Sequence, residues 1–337
     1  MFRNFYTINS DPGLRRRARL FLAIFAAAFA AAYVLALIVR LTALSAIPPQ
    51  ISGNPSLDYK LAFLKGRDYG REPVSLGIGS SMAVNNLGTD DLQRGDGMTT
   101  INLGVWGTTL QQDEMLYAIW DKRFNVRQVT LAVQMFEAID RDEHELEIHP
   151  DKIEAYLADS PLFWATRPFD ILDAITRKRV ETPIVRDPQL YTYVGFTETG
   201  AVPLQIGKAH IDPKRWWPQT QYTHACHDCM APLLRLCRRV TGRGIPFLTV
   251  IPPYREAVHP TFHTLAREAR GRINRTMQAC GGRTLRVEDY ASFDDSCFVD
   301  WAHLNADGVK KAAALLIAWK KSSLPKAPRR IVCQPPL

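Results

Sequence analysis

The chain has 337 residues, 46% hydrophobic and 23% charged, with 20 glycines, 22 prolines and a formal net charge of +8. That balance excludes a disordered or fibrous chain and leaves room for one large domain with an insertion. Residues 1–40 hold six basic residues and one acidic residue, leaving only +3 for the remainder, so nothing argues for nucleic acid as a partner.

Residues 1–19 are polar and basic, with Arg3, Arg15, Arg16, Arg17 and Arg19, and residues 20–39 form an uninterrupted apolar stretch. Twenty residues at 1.5 Å rise span about 30 Å, the thickness of a bilayer's hydrocarbon core. The arginines before the stretch, against Arg40 after it, predict a single-pass inner-membrane protein by the positive-inside rule. Its N-terminus is then cytoplasmic and the rest of the chain periplasmic or otherwise extracytoplasmic. A cleaved signal peptide is the rival reading. Against it, the apolar core exceeds the roughly 7 to 15 residues of a signal, and no polar cleavage region follows.

Residues 40–56 read as a turn-rich linker with Pro48, Pro49, Gly53 and Pro55, and 57–64 as a short amphipathic helix. A main domain is expected over 57–325, interrupted by an insertion at about 140–223, with a C-terminal tail at 326–337. Strand-like runs at 74–78, 99–103, 128–134, 246–251 and 284–287 alternate with helical stretches at 109–123, 230–240, 260–279 and 305–322. Residues 82–93 hold a helical turn or more. The expected fold is α/β, a three-layer α/β/α sandwich with a parallel, flavodoxin-like sheet, preceded by one transmembrane helix. Its functional site would lie at the carboxyl ends of the strands.

Within the insertion, Trp164, Tyr191, Tyr193, Trp216, Trp217 and Tyr222 stand among prolines and charges. They either present aromatic faces to sugar rings from a cap or fill a small core of their own. All six cysteines, Cys226, Cys229, Cys237, Cys280, Cys297 and Cys333, follow the apolar stretch, where an oxidising compartment would favour disulfides. His224, Cys226, His227 and Cys229 have metal-like spacing, but no second Cys/His pair lies at structural-zinc distance. A local disulfide or a solvent-facing loop is the preferred reading, and no metal is expected.

Two segments more than two hundred residues apart carry the chemistry. Val299-Asp300-Trp301-Ala302-His303-Leu304-Asn305 contains an Asp-x-x-His pair at the mouth of a helix, where both side chains can face one cleft. Gly77-Ile78-Gly79-Ser80-Ser81-Met82 turns from a strand into a helical segment. A serine hydroxyl is a poor nucleophile until an imidazole takes its proton, and the imidazole works best when a carboxylate orients it. Ser81 is the candidate nucleophile, with a helix dipole and free backbone N–H groups beside it. A third segment, Asn102-Leu103-Gly104-Val105-Trp106-Gly107-Thr108-Thr109, follows the next strand.

In this order the three segments resemble the SGNH hydrolases, also called GDSL-type esterases and acyltransferases. Gly79-Ser80-Ser81 stands where that family has Gly-Asp-Ser, Gly107 matches the glycine of its second block, and Asp300 and His303 match its last. The resemblance covers roughly residues 70–135 and 240–322. It implies that Ser81 is the nucleophile, His303 the general base and Asp300 its orienting carboxylate, with the backbone N–H groups of Ser81 and Gly107 forming an oxyanion hole. The family's Gly-x-Asn-Asp block is missing; Gln134-Met135-Phe136-Glu137-Ala138 occupies its place, and Gln134 is the candidate replacement donor. Such a loss is familiar from membrane-associated branches similar to the D-alanine transfer proteins and exopolysaccharide acetyltransferases.

The residues and the resemblance together predict a membrane-anchored serine esterase or O-acyltransferase acting on acyl esters, chiefly acetyl, of a cell-surface or secreted polysaccharide. No metal or organic cofactor is required. Trp106, Tyr254, Arg255 and Trp301 are candidate substrate contacts. By analogy with those branches, transfer calls for a membrane-bound O-acyltransferase partner to deliver acyl groups across the bilayer. Two other readings stay open: a non-catalytic scaffold of a polysaccharide acylation or export complex, and a lipid esterase.

Overall fold

Five short runs of aliphatic and β-branched residues build the central sheet in the computed structural model, which describes residues 12–138, 147–206, 229–255, 260–322 and 328–334. They are β1 (Pro73–Gly79), β2 (Thr99–Asn102), β3 (Asn125–Ala132), β4 (Phe247–Ile251) and β5 (Arg283–Arg286). All pair in parallel in the order β2-β1-β3-β4-β5. β4 is buried at every position and β1 at all but its first, as expected for strands covered on both faces. The α/β sandwich with a flavodoxin-like sheet is therefore the fold observed. Strand order reverses between β1 and β3, which opens a crevice at their carboxyl ends.

The chain divides into two compact units. The larger comprises the described residues of Gln50–Leu157 and Glu181–Leu337, and the smaller those of Met1–Pro49 and Ala158–Val180. The expected insertion at 140–223 is thus shared between the two. In the smaller unit, α1 (Pro12–Leu41) is long and apolar enough to cross a membrane.

In the larger unit, α2 (Pro55–Lys65) is capped by Asn54, whose side chain accepts the Ser56 and Leu57 N–H groups. It is not the amphipathic helix expected from residues 57–64: Leu57, Asp58, Tyr59, Lys60, Leu61 and Leu64 are all buried. Lys60 tolerates this because its ammonium donates to Asn102 O at 2.8 Å and Gly200 O at 2.5 Å and lies over the Phe196 ring. Burial pulls its pKa well below the usual lysine value.

Residues 82–93 form two helices, α3 (Ser81–Asn86) and α4 (Thr89–Asp96). They break at Gly88, where φ is +56° and an added Cβ would stand 2.9 Å from the Ala313 side chain. Only glycine permits that backbone and so close an approach of α11 (Ala306–Lys320). Met82, Leu87 and Leu92 share a buried cluster with Val309, Leu315 and Leu316 of α11. On other strands' connections lie α5 (Leu110–Arg123), α9 (Met230–Thr241) and α10 (Pro260–Ala279), with α9 packed against both of the others.

Part of the expected C-terminal tail is structured. β7 (Arg329–Ile331) pairs in parallel with β6 (Ala291–Phe293), and Cys333 is bonded to Cys297. Cys237 is bonded to Cys280, and Cys229 is also disulfide-bonded. Among the described residues no cysteine is free and no group of side chains could hold a metal. Trp216, Trp217, Tyr222, His224, Cys226 and His227 lie outside the described residues.

The Cys297–Cys333 bridge spans a sequence separation of 36 and holds the segment leading into Asp300. Replacing both cysteines by serine is expected to lower unfolding free energy by about 4 kcal/mol on the loop-entropy estimate. Urea titration of the full-length chain in detergent measures it, and a change near zero would contradict the structural role.

Candidate functional site

The candidate residues Ser81, Asp300 and His303 come together at the crevice beyond β1 and β3. Ser80 ends the β1 turn in extended backbone as the N-cap of α3, and Ser81 is the first residue of that helix. Gly79, with φ of +127°, makes the turn possible; a Cβ there would collide with the Ala132 carbonyl oxygen. Gly104 is equally constrained, since a Cβ would lie 2.6 Å from Ala83 Cβ and 2.7 Å from Val84 N. The loop after β2 therefore runs directly over α3. Gly107 follows with φ of +69° and a surface position.

Asp300 and His303 sit at the tip of a closed loop. Phe298 and Leu304 form an antiparallel bridge, and the Val299 N–H donates to His303 O at 2.8 Å. Immediately afterwards Asn305 caps α11 by accepting the Gly308 N–H at 2.9 Å. The two oxygens of Asp300 have separate tasks. Oδ1 accepts the N–H groups of Ala302 at 2.7 Å and His303 at 2.6 Å, while Oδ2 faces His303 Nδ1 at 2.7 Å. This is why the spacing of three works: one oxygen shapes the turn that carries the imidazole to the other.

On the opposite side of the ring, His303 Nε2 is 2.9 Å from Ser81 Oγ. The structure thus brings Ser81, His303 and Asp300 into one hydrogen-bonded chain. Asp300 is 2% exposed and His303 7%. Burial alone would raise the Asp300 pKa, but the charge and hydrogen bond of His303, with the backbone N–H groups of His303 and Ala302, outweigh it and hold the carboxyl below its usual value. The carboxylate stays ionised facing the imidazole, an arrangement able to stabilise an imidazolium.

Three contributors were not legible as site residues. Tyr191, which the sequence offered either as a sugar platform or as part of a small core, donates its hydroxyl to Asp300 Oδ2 at 2.8 Å and lies 2.7 Å from His303 Nδ1. Its ring meets the imidazole edge-on at 5.5 Å. Burial and the Asp300 charge push its pKa well above the phenol value, so it remains a neutral donor. Asn86 secures the loop from behind: its amide donates to Ala302 O at 2.9 Å and accepts the Leu304 N–H at 3.0 Å. Glu137 accepts the Ser80 hydroxyl at 2.7 Å and the Gln134 N–H at 3.3 Å. Beside it, burial and the Glu137 charge push the Asp113 carboxyl of α5 well above the usual carboxylate range, against a hydrogen bond from Thr108. Ser80 is thus committed to a carboxylate of the chain itself.

The remaining candidates are less central. Gln134 is buried at the end of β3. Trp106 is partly buried, and its carbonyl accepts the Asn54 amide at 2.6 Å. Tyr254 is buried beneath the Arg270 guanidinium. Arg255 is paired through two nitrogens with Asp295 at 3.1 and 2.6 Å, and its N–H supports Trp301 O at 3.0 Å. These contacts give Tyr254 and Arg255 structural work. Tyr193 packs on its own turn, its hydroxyl filling the space over Gly195, and Trp164 belongs to the smaller unit, where its indole donates to Asp159.

Asn86→Ala orphans two buried backbone groups and is expected to cost about 1–3 kcal/mol for each, read by urea unfolding. Tyr191→Phe removes a donor from Asp300, leaving more negative charge facing the imidazole. The acid limb of a reactivity-versus-pH curve should therefore move to higher pH with little change in Tm. Asp113 titrates above its ordinary 3.8 in the folded chain, so its ionisation favours unfolding increasingly as pH rises from about 4 toward the folded value. The stability advantage of Asp113→Asn should grow over that window in thermal melts; an advantage that shrinks with pH would contradict the assignment.

No protein-family model and no curated protein matches the chain. Among solved structures, a Clostridium thermocellum family 3 carbohydrate esterase aligns over 74% of this chain and 94% of its own, at 11% identity and a TM-score of 0.34. At that similarity the alignment bears no functional weight, and the reading of the site rests on its residues.

Proposed function

We propose that this chain is a serine esterase or O-acyltransferase acting on acyl esters, chiefly acetyl, of a cell-surface or secreted polysaccharide, and that α1 anchors it in a membrane with the larger unit on the extracytoplasmic side. The observation that carries the reading is the hydrogen-bonded chain from Ser81 Oγ through His303 to Asp300, with Ser81 at the start of a helix. Disulfides in the larger unit support an oxidising compartment.

In this mechanism Ser81 Oγ attacks the ester carbonyl carbon as His303 Nε2 takes its proton. The new oxyanion is met by the backbone N–H groups of Ser81 and Gly107, with Gln134 as a further donor; each such donor is typically worth about 3 kcal/mol in the transition state. Collapse breaks the ester C–O bond, and the imidazolium returns its proton to the departing alcohol. The acyl group on Ser81 then passes to water or to a sugar hydroxyl, with His303 again accepting the proton. Asp300 stabilises the imidazolium throughout, and Tyr191 holds Asp300. Transfer to a sugar needs acyl groups on the far side of the membrane. A multi-spanning membrane-bound O-acyltransferase partner is therefore part of the transferase form of this reading.

Acetate release from acetylated polysaccharides by the full-length protein, with and without sugar acceptors, tests the proposal. Ser81→Ala and His303→Ala are each expected to lower turnover by at least about a thousandfold, with the double variant no worse than either, because the residues act as a unit. Wild-type turnover in Ser81→Ala would sink the reading.

A further inference from the structure

The smaller unit holds an apolar surface that the proposed chemistry does not use. After α1, the chain returns at Ala158 and forms α7 (Pro161–Ala165), a 3₁₀ turn at Arg167–Asp170 and the start of α8 (Ile171–Arg186). Leu162, Phe169, Leu172 and Ile175 are 77, 70, 76 and 51% exposed. Large side chains so exposed and so close in sequence mark an interaction surface.

Contacts with α1 fix the level of Phe169 and of the Ala165 backbone. The Phe169 ring stands 6.0 Å from that of Tyr33, and the Tyr33 hydroxyl donates to Ala165 O at 2.7 Å. Tyr33 lies seven residues before Arg40, about 10 Å along the helix axis. Arg40 is only 3% exposed and closes the end of α1: it donates to Leu44 O at 2.7 Å and Ile47 O at 3.0 Å, and faces Asp170 at 3.5 Å. On the same level Arg177 donates to Pro48 O at 3.1 Å and Lys178 to Ala43 O at 3.0 Å.

The unit is therefore graded along α1. Basic side chains gather where the helix ends, and Phe169 lies a turn or two deeper, beside a helix whose own apolar span is unburied; Leu162, Leu172 and Ile175 flank it in sequence. Amphipathic segments that lie on bilayers bury their apolar face about 5–10 Å below the headgroups, with basic residues above. The spacing matches. A tyrosine hydroxyl at that depth also needs a partner, which Ala165 O provides.

We infer that residues 161–175 form a membrane-embedded foot: Leu162, Phe169, Leu172 and Ile175 enter the acyl-chain region of the leaflet that α1 exits, while Arg177 and Lys178 mark the headgroup level. The inference rests on α1 spanning a bilayer and holds for either orientation of that helix. Lipid is the occupant because Phe169, at the centre of this segment, sits against Tyr33 within the unburied, apolar span of α1. A second anchoring element restricts the tilt that a lone helix leaves free.

Site-directed spin labelling tests it. Leu172→Cys, Ile175→Cys and Phe169→Cys are introduced singly into the full-length chain, whose described cysteines are disulfide-bonded. Each is labelled with a maleimide nitroxide and reconstituted into phosphatidylcholine/phosphatidylglycerol vesicles. Leu35→Cys in α1 serves as a lipid control and Lys122→Cys as an aqueous one. All five positions are exposed, so the substitutions leave the folded core intact. The expected result is greater relaxation by oxygen than by a water-soluble nickel complex at the three foot positions, as at Leu35, with the ratio reversed at Lys122. Nickel access at the foot with Leu35 still in lipid would overturn the inference alone. Protection from both reagents would mean that protein covers the surface and would equally overturn it. Nickel access at Leu35 would overturn the anchor reading and the foot with it.

Discussion

One buried amide joins the two halves of the site. Ser81 rides the first turn of α3 and His303 the loop before α11, and their sequence separation of 222 is bridged by Asn86. Its side chain grips the backbone on both flanks of the imidazole, at Ala302 and Leu304. Given that grip, the 2.9 Å contact between Ser81 and His303 follows from the geometry of a short helix and a closed loop. The helix is in turn held by a sheet whose glycines let β1 approach β3 and let the loop after β2 cross α3 without a side chain between them. Removing the amide would leave a buried carbonyl and N–H without partners, so precision and stability fail together.

Around this joint, charge is arranged in two layers. On the imidazole side an ionised Asp300 is stabilised by four donors from His303, Ala302 and Tyr191. Behind the serine turn, the buried Glu137 accepts the Ser80 hydroxyl, and its charge together with burial raises the Asp113 carboxyl above its usual range. The first layer supports a positive imidazolium. The second sets two carboxyl groups, whose charges disfavour one another, close to the serine turn. The smaller unit, taken by itself, is built on α1, with its own buried arginine at the helix end.

Much of the sheet and of the hydrogen-bonded chain was legible in the sequence. Strands buried on both faces give continuous apolar runs, and the Asp-x-x-His spacing reflects a local turn stabilised by its own aspartate. What escaped depends on long-range packing. Tyr191 resembles any aromatic in a polar insertion until its hydroxyl is seen on Asp300. Asn86 is an unremarked polar residue in a short helix, because both its partners come from the far end of the chain. Lys60 argued for a solvent-facing helix side, and only two distant carbonyls make its burial tolerable. Residues 326–337 lacked any long apolar run, yet a three-residue strand and a disulfide hold part of them. Gly88 similarly divides what reads as one helix, for the sake of a close contact with α11.

The central claim is that His303 activates Ser81. Labelling the full-length protein with a serine-directed fluorophosphonate, followed by mass-spectrometric mapping of the adduct, tests this without knowledge of the substrate. The account predicts stoichiometric modification at Ser81, lost in Ser81→Ala and in folded His303→Ala. No labelling of the folded wild-type protein, or labelling undiminished in His303→Ala, would contradict it.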